Sequence, residues 1–232
     1  MNQTVAVIGG TGRSGHGLAL RLARAGLPIV IGSRDAHRAE EVSVELVRRL
    51  ALAGGGAAIT GASNADAAAE AGMAFLTLPF EVQATLLPGL AVPLAGKVVV
   101  STAVPVRFDA DLGPVAVELA AGSAAEQAAA LLPSSRIVAA MHTVSSAHLD
   151  RLERDLNEDI LLIGDDADAK ALVAGITELL PGVRAVDGGR LANARLAEQL
   201  AVLLLSINRL IRRSVGIRFT NLPGDATPVP KA

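Results

Sequence analysis

The chain has 232 residues, 51% of them hydrophobic, and a formal net charge of −2. That is ample apolar material for a packed core, and too little charge for a strong field toward nucleic acid or an anionic membrane. It holds no cysteine and no tyrosine, which excludes disulfides, thiolate metal sites, a cysteine nucleophile and any mechanism that uses a tyrosine acid.

Residues 5–8, Val-Ala-Val-Ile, read as a buried strand. They run into Gly9-Gly10-Thr11-Gly12-Arg13-Ser14-Gly15, with a helix expected from near Arg13 to residue 25. Gly10-x-Gly12-x-x-Gly15 between a strand and a helix is the dinucleotide-binding spacing. Gly10 is expected to make the tight turn, Gly12 to admit the pyrophosphate, and Gly15 to let the helix pack close to the strand. The pyrophosphate then meets free N–H groups at the positive end of the helix, around Thr11, Arg13 and Ser14.

A second strand over residues 29–31 leads to Gly32-Ser33-Arg34-Asp35. An acid near this point marks an NAD site, whereas a hydroxyl and a guanidinium suit the 2′-phosphate of NADP. Ser33 and Arg34 therefore point to NADP, with Arg38 one helical turn on as a second cation. Asp35 reads either as the ribose acid of an NAD enzyme or as the N-cap of the next helix; NADP is the preferred reading.

Beyond this point, helices over residues 35–52, 64–71, 81–87, 123–132 and 168–180 alternate with strands over 57–60, 73–78, 97–100, 136–140, 160–163 and 183–186. An irregular loop is expected over 108–114, one long helix over about 191–217, and a frayed tail over 221–232. The alternation predicts an α/β fold, a Rossmann-type doubly wound and mostly parallel sheet with a small C-terminal helical lobe. Residues 1–140 would form the NADP-binding domain and 141–220 the lobe that completes the pocket. Ligands bind beyond the carboxyl ends of such strands, so residues 9–14, 33–34, 77–80 and 101–105 should face one crevice.

Acid–base candidates are few. His142 follows a strand on the crevice side; it could be a general acid, orient a ring system, or bond into its own loop. His148 lies close by, but the pair lacks a third ligand, so no metal is expected. His16 is expected on a solvated helix face, and none of Lys97, Lys170 and Lys231 is placed for catalysis. A Ser-His-Asp hydrolase needs a Gly-x-Ser-x-Gly elbow, and none is present. Reducing a ketone requires a proton donor, whereas passing a hydride between two redox cofactors needs mainly orientation and exclusion of water. The missing acid fits the second case. No signal peptide is expected, and no apolar run approaches the roughly 20 residues of a membrane helix, so a cytoplasmic protein is expected.

Several stretches together resemble the NADP-dependent coenzyme F420 reductases. They are Gly9-Gly10-Thr11-Gly12, the run Gly-His-Gly-Leu-Ala-Leu-Arg-Leu-Ala from residue 15, Ile31-Gly32-Ser33-Arg34, Leu76-Thr77-Leu78-Pro79-Phe80, Val104-Pro105-Val106, His142-Thr143, Gly164-Asp165-Asp166 and Asn193-Ala194-Arg195. The resemblance implies an oxidoreductase that moves a hydride directly between the deazaflavin of F420 and the nicotinamide of NADP. It implies that Ser33, Arg34 and Arg38 hold the 2′-phosphate, that Thr11 and the glycines hold the pyrophosphate, and that the loops around Leu78-Pro79, Val104 and His142 line the ring pocket. No side chain is assigned to chemical catalysis. A homo-oligomer is implied, a homodimer or higher, with the C-terminal helix as a dimer element. Phe80, Arg13-Ser14 and Ser145-Ser146 depart from the pattern. Two other readings stay open: an NADPH-dependent reductase of a small carbonyl, imine or flavin on the same fold, and an NADP-binding regulatory protein without turnover.

Overall fold

Six short, almost wholly apolar strands build the centre of the molecule, as seen in a computed structural model that describes residues 3–222. They are β1 (Val5–Ile8), β2 (Ile29–Ser33), β3 (Ile59–Ser63), β4 (Met73–Leu76), β5 (Val98–Ser101) and β8 (Arg136–Ala139), all parallel, in the order β3-β2-β1-β4-β5-β8. A strand covered on both faces has no polar side, which is why β1, β2, β4 and β5 are buried at every position. Val5 and Val7 pack on one face with α1 (Arg13–Arg24) and α2 (Ala36–Leu52). Ala6 and Ile8 pack on the other with α3 (Asn64–Glu70) and α5 (Ala124–Leu131). Strand order reverses at β1, whose neighbours β2 and β4 lead away in opposite directions; the crevice opens at this switch point.

Helix boundaries follow their caps. Asp35 accepts hydrogen bonds from the N–H groups of His37 and Arg38, so it is the N-cap of α2. Ser63 and Ser123 do the same for α3 and α5. Lys97 donates Nζ to the carbonyls of Ala68 and Ala69 at 2.7 and 2.9 Å and closes the C-terminus of α3. Strand β3 falls two residues later than expected. A Cβ at Gly61 would lie 2.3 Å from Ala39, so the strand uses glycine to admit α2, and its apolar pattern is broken there.

Residues 108–114 are no irregular loop. They belong to an antiparallel hairpin of β6 (Val106–Asp109) and β7 (Gly113–Ala116), turned by Asp109, which accepts the N–H groups of Asp111 and Leu112. The lobe holds the short helix α6 (Ser146–Leu149), then β9 (Glu158–Leu162), α7 (Ala167–Thr177), β10 (Val183–Asp187) and α8 (Ala194–Ile211). Strands β9 and β10 form a separate parallel pair, tied to the main sheet by the bridge between Ala139 and Ile163. The long helix ends at Ile211, not near residue 217. Arg212 turns left-handed at φ 55, and Asn208 Oδ1 accepts the Val215 N–H at 2.7 Å. The chain then lies along β9, where a Cβ at Gly216 would strike Glu158 at 2.4 Å, so glycine admits the segment that follows the helix. From residue 223 the expected tail lies outside the described residues.

Candidate active site

A cavity of about 680 Å³ occupies the switch point. In strand order, its wall takes Ser33 and Arg34 from the end of β2, residues 9 and 11–14 from the end of β1, Thr77 to Pro79 from β4, Thr102 to Val104 from β5, and Met141 to Ser146 after β8. Ala201, Leu204, Leu205 and Asn208 of α8 cover the far side. Of the expected binding residues, Thr11, Gly12, Arg13, Ser14, Ser33, Arg34, Leu78, Pro79, Val104 and His142 all line this one space.

The glycines divide their roles differently from the expectation. Gly9, not Gly10, carries the positive φ, at 71°, and its N–H is held by Asn64 Oδ1 at 3.1 Å. Gly10 is the point of close approach, since a Cβ would lie 2.6 Å from the Val7 carbonyl. At Gly15 a Cβ would lie 2.6 Å from Gly10 Cα, so the helix start presses on the turn beneath it. Only Gly12 faces open space, with its nearest neighbour 3.8 Å away. Gly10 and Gly15 are therefore under the wall, and Gly12 is on it. The N-cap Gly12 supplies no side-chain acceptor, which leaves the first N–H groups of α1 free for an anion.

Arg34 is exposed on the wall, beside the buried Ser33. Asp35 spends its carboxylate on capping and is no ribose acid in this geometry. Arg38 stands off the wall, and Glu41 one turn away meets its guanidinium at 3.0 Å. Asn64, Thr77, Thr102 and Asn208 are wall residues that the sequence does not single out as binding groups. Thr77 and Thr102 donate their hydroxyls to the carbonyls of Ile8 and Leu76, which pins the loops after β4 and β5 to the neighbouring strands. The rule that ligands lie beyond strand ends points to Asn64, Thr77 and Thr102; Asn208, out on a helix, is placed only by the tertiary structure.

After β8 the chain turns at Met141, a non-glycine residue at φ 68. Such a conformation costs about 1 kcal/mol and persists where surrounding contacts hold it. His142 follows, 9% exposed, with Nε2 unpartnered among the described residues. Burial lowers its pKa to about 4, so the ring is neutral near pH 7. Among the described residues no Asp, Glu, Lys or Tyr lines the cavity; its titratable side chains are Arg13, Arg34 and His142. No cluster of three potential metal ligands occurs among the described residues, and no helix is long and apolar enough to cross a membrane.

The lobe is joined to this wall by buried polar groups. Arg21 on α1, 4% exposed, donates to the carbonyls of His148, Leu149, Arg151 and Arg154 at 2.7–2.9 Å. Glu158 meets His148 Nδ1 at 3.0 Å; burial pushes its pKa up, against the pull of His148 and Arg21. Asp159 is held below the usual carboxylate range: burial raises it, but Arg184, the Phe219 N–H and Arg218 together outweigh that. His16 is half-buried rather than solvated, and desolvation lowers its pKa.

Residues 4–105 match the family model described as NADP oxidoreductase, coenzyme F420-dependent. The chain is 41% identical over 228 residues to the F420-dependent NADP reductase of Methanothermobacter marburgensis, covering 94% of this chain and 99% of that one. It is 38% identical to the F420-dependent NADP reductase of Methanocaldococcus jannaschii, covering 94% and 98%. A crystal structure of a putative F420-dependent NADP-reductase from Arthrobacter sp. FB24 superposes with a TM-score of 0.77 at 25% identity, covering 94% of this chain and all of that one. With that identity along nearly its whole length, the chain belongs to the family of F420-dependent NADP reductases.

Proposed function

We propose that this protein transfers a hydride directly between coenzyme F420 and NADP. The observation that carries the reading is a cavity with two arginines and a buried neutral imidazole, and no acidic side chain on the wall among the described residues. Such a wall suits two anionic redox cofactors and offers no proton donor to a carbonyl. Bound side by side, the two cofactors supply both hydride donor and hydride acceptor.

The chain contributes position and dryness. The free N–H groups at the start of α1 and the hydroxyl of Thr11 hold the pyrophosphate, and Ser33 with Arg34 hold the 2′-phosphate. Leu78, Pro79 and Val104 press the rings together and exclude water. His142, neutral, presents its unpartnered Nε2 to a polar ring atom and fixes the ring's orientation without moving a proton. Residues 1–140 thus serve NADP, and 141–220 close the pocket over the second cofactor.

A homodimer is part of the same reading. Leu196, Leu203 and Leu210 repeat every seven residues along α8 and are 57, 55 and 82% exposed, with exposed Phe108 and Leu112 on the neighbouring hairpin. An apolar stripe of this kind is buried by a second copy. Sedimentation of the wild type and of Leu203→Glu should give a dimer and a monomer.

The test of function is direct. Protein, NADP and reduced F420 are mixed and NADPH is followed. Turnover is expected; its absence, with clear turnover of a ketone or imine by NADPH, overturns the proposal.

A further inference from the structure

The last ladder pair between β1 and β2 joins Ile8 to Gly32, and beyond it the chain leaves the sheet at Gly9. The Gly9 N–H donates to Asn64 Oδ1 at 3.1 Å, and the Gly9 carbonyl accepts the Gly12 N–H at 3.3 Å. These two bonds link Asn64 to Gly12 through a single left-handed residue, at φ 71. Glycine is free to leave that conformation, so what holds Gly9 there must come from outside it. Gly12, at the other end of the link, is the glycine of this turn that faces open space, where the pyrophosphate comes closest.

Asn64 reaches this contact from a distance. It opens α3, directly after the cap Ser63 at the end of β3, and β3 lies two strands from β1. Its side chain therefore passes the end of β2 to meet β1. Gly32 makes that passage possible, since a Cβ there would lie 2.8 Å from Asn64 Oδ1 and 3.2 Å from Asn64 Cα. Asn64 lines the cavity and is still only 5% exposed, so its amide is packed in place. That amide can turn only its oxygen toward Gly9, because its nitrogen is a donor like the N–H it would face. Two glycines and one asparagine, 55 residues apart at the extremes, thus form one contact.

We propose that Asn64 is a positioning residue for the dinucleotide. Its amide oxygen anchors Gly9, Gly9 sets Gly12, and the N–H groups from Gly12 onward stay aligned for the pyrophosphate. A turn fixed in advance spares the cofactor the cost of ordering it. Asn64 therefore acts on the pyrophosphate that NADP and NAD share, whereas Arg34 acts on the 2′-phosphate that separates them. The inference rests on the reading that this turn holds the pyrophosphate, and it adds what keeps the turn in shape.

The experiment is a calorimetric titration of wild type, Asn64→Ala and Gly32→Ala with NADP, NAD and adenosine 2′-monophosphate, which carries the 2′-phosphate and no pyrophosphate. Asn64→Ala should weaken NADP and NAD alike, by about 3- to 10-fold, the worth of one hydrogen bond, and adenosine 2′-monophosphate by less than about twofold. Gly32→Ala crowds the amide from behind and should give the same ranking with the Asn64 side chain still present. In the double variant the added methyl takes up space that Asn64 has left, so the combined loss should fall short of the product of the two single losses. A loss shared equally by all three ligands makes Asn64 a general structural residue and overturns the proposal. A loss for NADP without one for NAD places Asn64 on the 2′-phosphate and overturns it too, as do unchanged affinities for both dinucleotides. If wild type binds adenosine 2′-monophosphate as tightly as NADP, the pyrophosphate adds nothing, and the proposal falls with the reading beneath it. Should Asn64→Ala not fold, Gly32→Ala carries the same comparison.

Discussion

Around the glycine loop, close contact is made by backbone and by missing side chains; in the lobe that faces it, close contact is made by buried charge. Gly10 and Gly15 bring β1, its turn and α1 to separations that no Cβ permits. The strands beneath contribute only apolar surface. Across the crevice, Glu158, Asp159 and Glu198 are all almost fully buried; Asp159 and Glu198 are each met by several donors, and Glu158 by His148 at one oxygen. The first design is rigid whatever the pH. The second depends on every charge keeping its partner, because a buried charge without one is costly. A cofactor site built on the first material and closed by the second has a fixed nucleotide grip and a lid whose position is set electrostatically.

That contrast breaks most readily at Arg21, which is where the two materials meet. Arg21→Met should destabilise the protein by about 3–5 kcal/mol, because four buried carbonyls lose one donor group at once. Urea denaturation measures it, and a loss under about 1 kcal/mol would mean that the lobe is held by its apolar contacts instead.

His142 tests the pH side. Its pKa is about 4 in the folded chain against the usual 6.5, so between those values the unfolded chain binds more protons. Stability from this group is complete above pH 6.5 and is lost as pH falls toward 4, by about 3 kcal/mol in all. His142→Asn should flatten that limb of the stability curve; parallel curves for wild type and variant would remove burial of His142 as its cause.

On the nucleotide side, Arg34→Ala should weaken NADP by about 1.5–3 kcal/mol and NAD far less, read by titration. Equal losses would make Arg34 structural. The smallest effect is expected at the end of α8. Arg212 is left-handed without being glycine, so Arg212→Gly should raise stability by about 0.5 kcal/mol, seen as a small rise in Tm. A fall would show that the arginine side chain contributes more there than the backbone costs.

The same division decides how much of the molecule is legible in its amino-acid sequence. Strand, glycine turn and Ser33-Arg34 are local signals, each complete within a dozen residues, and the cavity gathers them as expected. Asp35 is legible as a cap because a short acceptor before a helix has few other uses. The lobe's determinants are long-range. Arg21 and Leu149 are 128 residues apart, and Arg184 and Asp159 are 25 apart. No periodicity announces such pairs. The end of α8 is obscured because the arginines and Val215 continue a helical pattern, while the helix stops at a left-handed Arg212 that no glycine marks. Ser145-Ser146 stand out in the sequence only as a departure from a pattern; the fold puts them in the same cavity as Arg13-Ser14.

Helix α1 offers its first turn to the cofactor and its middle, at Gly17 and Arg21, to the lobe. A recombinant chimera cut near residue 140 would therefore carry a lobe whose seat belongs to another parent. To exchange second-cofactor preference between relatives, the crossover must bring the donor's residues 13–24 along with its lobe. Such an exchange keeps the seat of the lobe only where residue 17 is small enough for Leu149 and residue 21 carries a donor for the four carbonyls.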